Sequence, residues 1–287
     1  MLTRRTIVAG FVAVIAASIA FANPVSRSIY PAPTELLALD GLPAGSRFVA
    51  VTTVDGLALK GIVVAPRTGM PLVLVFHGNA SSASGTVRWF APLIARGYGV
   101  LAAEYRGYSG LPGTPSEMGL GHDADAFATF ARTEAKGTPP WLVGHSLGGG
   151  VALNLAMRTR FDLVATIGTF TRIRDMAPGI ARALVPDAYR NMTNVPRLRD
   201  PYILIHGTKD EVVPAGMGNA LHNAASKAKL NGASFVMIDT GHQPEAEKLL
   251  AIFETGRAWR GTSKWDTTAL PRDVKLVPFG QGNPLNP

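Results

Sequence analysis

Two short β-rich runs open the ordered pattern of this chain, at residues 48–54 and 57–64. Asp55-Gly56 between them suits a two-residue hairpin turn, because both central positions of that turn need positive φ. Residues 72–76, Leu-Val-Leu-Val-Phe, are apolar without alternation, which marks a strand buried on both faces of a parallel sheet. Residues 84–96 then put Val87, Phe90, Leu93 and Ile94 on one helical face and stop at Gly97. The alternation continues, with predicted strands at 99–103, 141–143, 163–167, 202–205 and 234–238. Predicted helices at 123–136, 147–158, 215–228 and 244–259 separate them. Strands divided by helices of that length need crossover connections, so the sheet is mainly parallel with helices on both faces. The expectation is an α/β domain over 47–260, with about eight strands including an antiparallel edge from the hairpin. Residues 23–46 read as a lead-in strap, 171–200 as a small cap, and 261–287 as a tail laid on the surface or without structure.

The 287 residues are 47% hydrophobic and 17% charged, which supports one large core and excludes wholesale disorder. No cysteine is present, so disulfides, a thiolate nucleophile and sulfur-ligated zinc are excluded. The first residues stand apart from the domain. Arg4 and Arg5 precede an apolar run of 16 residues, 7–22, interrupted only by Gly10 and Ser18 and ending Ala20-Phe21-Ala22. A helix of that length spans about 24 Å, short of the roughly 30 Å hydrocarbon core. Residues 1–22 are therefore expected to be a cleaved secretory signal, and the domain periplasmic or extracellular. A retained membrane anchor and a twin-arginine signal are the alternatives.

A net charge of +8 and a pI near 10.0 raise the question of nucleic acid. The cations are scattered, and the densest stretch sets Arg172, Arg174, Arg182, Arg190, Arg197 and Arg199 against Asp175, Asp187 and Asp200. No zinc finger, aromatic RNA-binding motif or basic helix accompanies them, so no nucleic-acid partner is expected. A solvated basic face is expected instead, with attraction to an anionic membrane surface or substrate as the alternative.

Gly144-His145-Ser146-Leu147-Gly148 lies between a predicted strand and a predicted helix, the context of a nucleophile elbow. The flanking glycines permit a turn that a Cβ would block, and the serine projects at the carboxyl end of the sheet. The competing structural reading is a glycine-rich turn whose serine caps the helix. A serine nucleophile needs a base. His242 follows the strand at 234–238 in a loop able to reach that edge. His145 and His206 are tied to their own strand ends, and His222, inside a helix, reads as a surface residue. His122 with Asp123 and Asp125 resembles a metal cluster but fits better as acids at a helix start. Asp210, beyond the strand at 202–205, is the expected orienting acid, with Asp175 in reserve. The order Ser146, Asp210, His242 is that of elbow-bearing hydrolases and not of the serine protease orders. Backbone N–H groups of Leu147 and Asn79 are the expected oxyanion donors, with Gly78 giving the chain room to turn. His77 reads as a structural hydrogen-bonder beneath that loop.

These residues resemble those of the α/β-hydrolase superfamily, most closely its BEM46-like and ABHD13/ABHD17-like serine hydrolases. The likeness rests on Phe76-His77-Gly78-Asn79-Ala80, Glu104-Tyr105-Arg106-Gly107-Tyr108-Ser109-Gly110 and Pro115-Ser116-Glu117. The elbow, the run from His206 through Asp210 to Pro214, and Gly241-His242 complete it. Ser109-Gly110-Leu111 departs from the usual glycine-then-serine step. The resemblance implies the fold, the triad and serine hydrolysis of an ester, thioester or amide. The expected reaction is acyl transfer to water through an acyl-enzyme, with no metal or organic cofactor. Met176, Ile180, Leu184, Val185, Tyr189 and Met192 either line an acyl pocket or close the core. So short a cap suggests an open site for small-to-medium acyl esters. A peptidase or protein acyl-thioesterase, and a non-catalytic binding protein on the same scaffold, are the alternatives.

Overall fold

The computed structural model describes residues 29–137, 139–176, 182–183 and 185–282. The signal expected at residues 1–22, and Ile180 and Leu184 of the expected pocket, lie outside the described residues. Among the described residues nine strands form one sheet: β1 (Arg47–Thr52), β2 (Ala58–Val64), β3 (Leu72–Phe76), β4 (Gly99–Ala103), β5 (Trp141–His145), β6 (Leu163–Ile167), β7 (Tyr202–Gly207), β8 (Gly232–Met237) and β9 (Val274–Pro278). Their order is β1-β2-β4-β3-β5-β6-β7-β8-β9. The six strands from β4 through β3 to β8 are parallel, with Val75 opposite Ala102 on one side and Val143 on the other. β1, β2 and β9 are antiparallel to their neighbours.

All residues of β3 to β8 are buried, which is why those segments carry no polar alternation. Among the described residues the helices covering the sheet are α1 (Ala83–Trp89), α2 (Ala91–Arg96), α3 (Glu117–Glu134), α4 (Leu147–Leu155), α5 (Asn191–Asn194), α6 (Ala215–Lys227) and α7 (Ala246–Thr262). One face packs Phe127, Leu153 and Leu221 from α3, α4 and α6; the other packs Val87, Leu93 and Phe253 from α1, α2 and α7. The cap contributes the 3-10 turns Ile173–Met176 and Val195–Arg197 beside α5. No described helix is long and apolar enough to cross a membrane.

Four expectations are corrected. The ninth strand comes from the segment read as a tail: Val274–Pro278 pairs with β8, and Phe279 stacks on Tyr202 at 5.7 Å. Its short run Val-Lys-Leu-Val was obscured by the prolines and glycines that follow. The hairpin turn is one residue longer than expected, since Thr53 N–H reaches Leu57 C=O and only Gly56 takes positive φ, +83°. That is a type I turn closed by a left-handed residue. The helix at 84–96 divides at Phe90, because Pro92 in the first turn of α2 has no N–H to continue the ladder. The helix expected at 123–136 starts six residues earlier, where the Ser116 side chain accepts Gly119 N–H at 3.1 Å.

The connections after β3 and β5 lead to opposite sides of the sheet, which opens a crevice between their carboxyl ends. The functional loops gather there.

Candidate active site

Ser146 joins β5 to α4 with φ 53° and ψ −115°, a conformation an L-residue adopts only under constraint. Glycine on either side is obligatory. A Cβ on Gly144 would run into the backbone of Gly148, and one on Gly148 into the Phe76 carbonyl. The turn is held by Ser146 N–H donating to Ile167 C=O at 2.9 Å and by Gly149 N–H donating to Ser146 C=O at 3.0 Å. The hydroxyl does not cap the helix it starts. That removes the structural reading of a capping serine and leaves a nucleophile-shaped turn. Leu147 is the first residue of α4, so its N–H has no carbonyl one turn back.

His242 Nδ1–H donates to Asp210 Oδ2 at 2.8 Å, with Oδ1 at 3.0 Å. The same carboxylate accepts Val212 N–H at 3.0 Å and Val213 N–H at 2.7 Å. Burial pushes the Asp210 carboxyl up, but the bonds from His242 and Val213 outweigh it and hold it below the usual aspartate range. Asp210 is thus a buried anion fixed on His242. Gly168, directly after β6, leaves room for the pair: a Cβ there would lie 3.0 Å from His242 Nδ1 and 3.1 Å from Asp210 Oδ2. Ser146 is bonded to Ile167, one residue from that contact. No hydrogen bond joins Ser146 to His242 in this structure, where the imidazole–carboxylate couple is already closed.

His145 links the halves. Its ring lies 4.8 Å from that of His242, and its Nε2–H donates to the His242 carbonyl at 3.1 Å. Burial, followed by the neighbouring His242, lowers its pKa to about 4, so it remains a neutral donor. His206 plays a parallel part, donating from Nε2 to Val213 C=O at 2.9 Å and bracing the loop that carries Asp210. The sequence shows both histidines at strand ends, but only tertiary contact shows whose backbone they hold.

Asn79 is exposed in the loop after β3, and its N–H has no partner among the described residues. Gly78 lets this loop lie against the elbow, since a Cβ there would sit 3.2 Å from Ser146 Cβ. Beneath it His77 bridges the Gly78 carbonyl and Glu104, each at 2.8 Å. Fully buried Glu104 also accepts Ala83 N–H and the Ser109 hydroxyl, both at 3.0 Å.

Other residues have different work. Among the described residues Asp175 accepts the Thr171 hydroxyl within its own turn. Asp123 and Asp125 lie well inside α3 rather than at a helix start. Asp123 is fully buried and bound by Arg106 Nε at 2.8 Å, while Asp125 meets Arg158 at 2.8 Å. His222 is buried, not a surface residue, because α6 presses it against β8, with Nδ1 2.8 Å from Ser234 Oγ. Arg172, Arg174 and Arg190 are exposed on the cap.

Residues 70–192 match a family described as serine aminopeptidase, S33. An uncharacterized protein of Mycobacterium tuberculosis, Rv2307c, is 34% identical over 66% of this chain and 70% of its own length. The lysophosphatidylserine lipase ABHD12 of Xenopus tropicalis is 30% identical over 56% of this chain and 48% of the lipase, so the chain spans about half the length of that relative. The esterase Pf2001 of Pyrococcus furiosus shares the fold, with a TM-score of 0.62 at 19% identity over 82% of this chain and 97% of that one. The chain belongs to the α/β-hydrolase superfamily. It is a hydrolase of ester or peptide bonds.

Proposed function

We propose that the chain cleaves acyl esters with Ser146 as nucleophile, His242 as general base and acid, and Asp210 as the group that orients and stabilises the imidazole. Ser146 Oγ attacks the acyl carbonyl while its proton passes to His242 Nε2, the ring nitrogen not committed to Asp210. The tetrahedral oxyanion is held by the N–H groups of Leu147 and Asn79. Collapse expels the alcohol, which takes the proton from His242. Water then repeats the sequence on the acyl-enzyme and releases the acid. Catalytic hydrogen bonds of this kind tighten when substrate binds, so the Ser146–His242 bond is expected to close in the complex.

The observation that carries this reading is the pairing of a strained, uncapping serine with a half-buried imidazole held on a buried carboxylate across Gly168. An ester is favoured because a relative is named for an ester-cleaving lipase. Amide cleavage is the second reading, supported by the description of the matched family. A fluorophosphonate probe should label the wild-type protein and not Ser146→Ala. The unlabelled enzyme should hydrolyse p-nitrophenyl esters, including single-chain lipid esters, faster than aminoacyl-anilides. Absence of labelling on folded protein refutes the nucleophile, and preference for the anilides moves the enzyme to the peptidases.

A further inference from the structure

The described part of the strap before β1 opens with Ile29-Tyr30-Pro31-Ala32-Pro33. Two prolines hold such a segment extended, and proline offers a carbonyl without an N–H to satisfy. In extended chain, carbonyls two residues apart face the same way, as those of Pro31 and Pro33 do; Ile29, still helical, precedes that stretch. Here those of residues 29, 31 and 33 all accept bonds from loops of the proposed site. Asn79 Nδ2 donates to Ile29 C=O at 2.7 Å, Ala80 N–H to Pro31 C=O at 3.2 Å, and Ser109 N–H to Pro33 C=O at 3.2 Å.

Two of these donors are unusual. Ala80 and Ser109 take positive φ, 55° and 49°, although neither is glycine. Such conformations persist only where surrounding contacts over-determine them, and the strap supplies one contact to each. Ala80 directly follows Asn79, the proposed oxyanion donor, and Ser109 binds Glu104 beneath the same loop.

The buried side chain between the first two carbonyls turns to the cap. Tyr30 Oη donates to Asp187 Oδ2 at 2.5 Å and lies 3.1 Å from Tyr189 Oη. Burial, reinforced by Tyr189 and Asp187, keeps the Tyr30 hydroxyl protonated and hence a permanent donor. The Tyr189 ring packs over Gly150 of α4, where a Cβ would come within 2.7 Å of it. Glu117 closes the other side of the cap by accepting the N–H groups of Ala188 and Tyr189.

We propose that residues 29–33 are a positioning element of the hydrolytic site, fixing the Asn79 loop and joining it through Tyr30 to the cap. This rests on the roles assigned above to Ser146, Asn79 and Leu147. The strap touches the loop proposed to stabilise the oxyanion, so its loss should act on the transition state more than on substrate binding.

The test compares wild type, Tyr30→Phe and a deletion of Ala32, which shifts the carbonyl register by one residue. Active sites are counted by fluorophosphonate labelling, so that loss of folded protein does not count as loss of rate. For Tyr30→Phe, kcat per labelled site on a p-nitrophenyl ester should fall about tenfold with KM within about twofold. Binding of an alkyl boronic acid, which mimics the tetrahedral state, should weaken by the same factor. The deletion should lower kcat about 10²-fold, the scale of one lost oxyanion donor. It should also speed amide hydrogen exchange at Ala80 and Ser109. Faster exchange with kcat per site and boronate affinity unchanged makes the strap merely structural and overturns the proposal. A wild-type protein whose Ser146 is not labelled overturns the hydrolytic reading itself, and the positioning role with it.

Discussion

The two edges of the sheet are built from the same strands and helices, yet their backbones differ. At the amino edge, positive φ occurs at Lys136, Lys229 and Ser263, each at or just beyond the end of a helix. Left-handed residues commonly terminate helices, and Leu230 N–H completes such an ending by reaching back to Ala225 C=O. At the carboxyl edge, Ala80, Ser109, Tyr189 and Asp239 take positive φ in loops, and Ser146 takes it at a helix start. No helix ending accounts for these.

Cavities and charges point the other way. Two adjoining clefts of about 430 and 500 Å³, sharing Asp162 and Arg260, lie at the amino edge. Their acids are already matched: Asp162 with Arg260 at 2.6 Å, Asp200 with Arg160 at 2.5 Å, and Glu134 with Arg47 at 2.8 Å. A cleft whose acids are paired with arginines and whose left-handed residue merely ends a helix has little with which to do chemistry. Unexplained backbone strain beside an imidazole held on a buried carboxylate is the better guide in this molecule.

The contrast can be broken most severely at Asp210. Asp210→Asn keeps the shape but lets the side chain offer an N–H where His242 needs an acceptor, and kcat on an activated ester should drop about 10⁴-fold. A loss below tenfold would remove Asp210 from the proposed triad.

A smaller effect is expected from His145. Its folded pKa is depressed to about 4 from 6.5, so between those values the unfolded chain binds the proton and the native protein does not. The stabilisation is complete above pH 6.5 and is lost as pH falls toward 4. It amounts to about 3 kcal/mol at about 1.4 kcal/mol per unit. His145→Gln, which can still donate to the His242 carbonyl, should flatten urea-unfolding stability across that window. An unchanged pH slope would show that His145 titrates normally.

The smallest effect belongs to the amino edge. Arg67→Ala and Arg132→Ala remove exposed cations from the two clefts. Each should leave ester turnover within about twofold and unfolding free energy within about 0.5 kcal/mol. A tenfold loss of activity from either would erase the distinction between the edges.

The parallel core was legible from pattern alone, because residues 72–76 and 202–205 can be so uniformly apolar only if both faces are covered. The elbow was legible because glycine must flank a serine at a turn too crowded for a Cβ, and Gly144 and Gly148 stand there. β9 was less so: Val274–Pro278 is short and edge-bound, and its partner β8 lies on the far side of α7 in the chain, so no local pattern announces the pairing. The burial of His222 had no periodic signature, since one polar residue on a helix gives no sign of which neighbour will cover it.

By itself the amino-acid sequence determined the alternation of strands and helices, the order of serine, acid and histidine, and the glycines on which the turns depend. These are local properties, set by side-chain period and backbone sterics within a few residues. Only the tertiary structure decided that His145 holds the His242 carbonyl, that Asp123 belongs to Arg106, and that the carbonyls of residues 29, 31 and 33 meet Asn79, Ala80 and Ser109. Each of those bonds joins groups from separate parts of the chain, and their geometry exists only after the sheet has brought its loops to one edge.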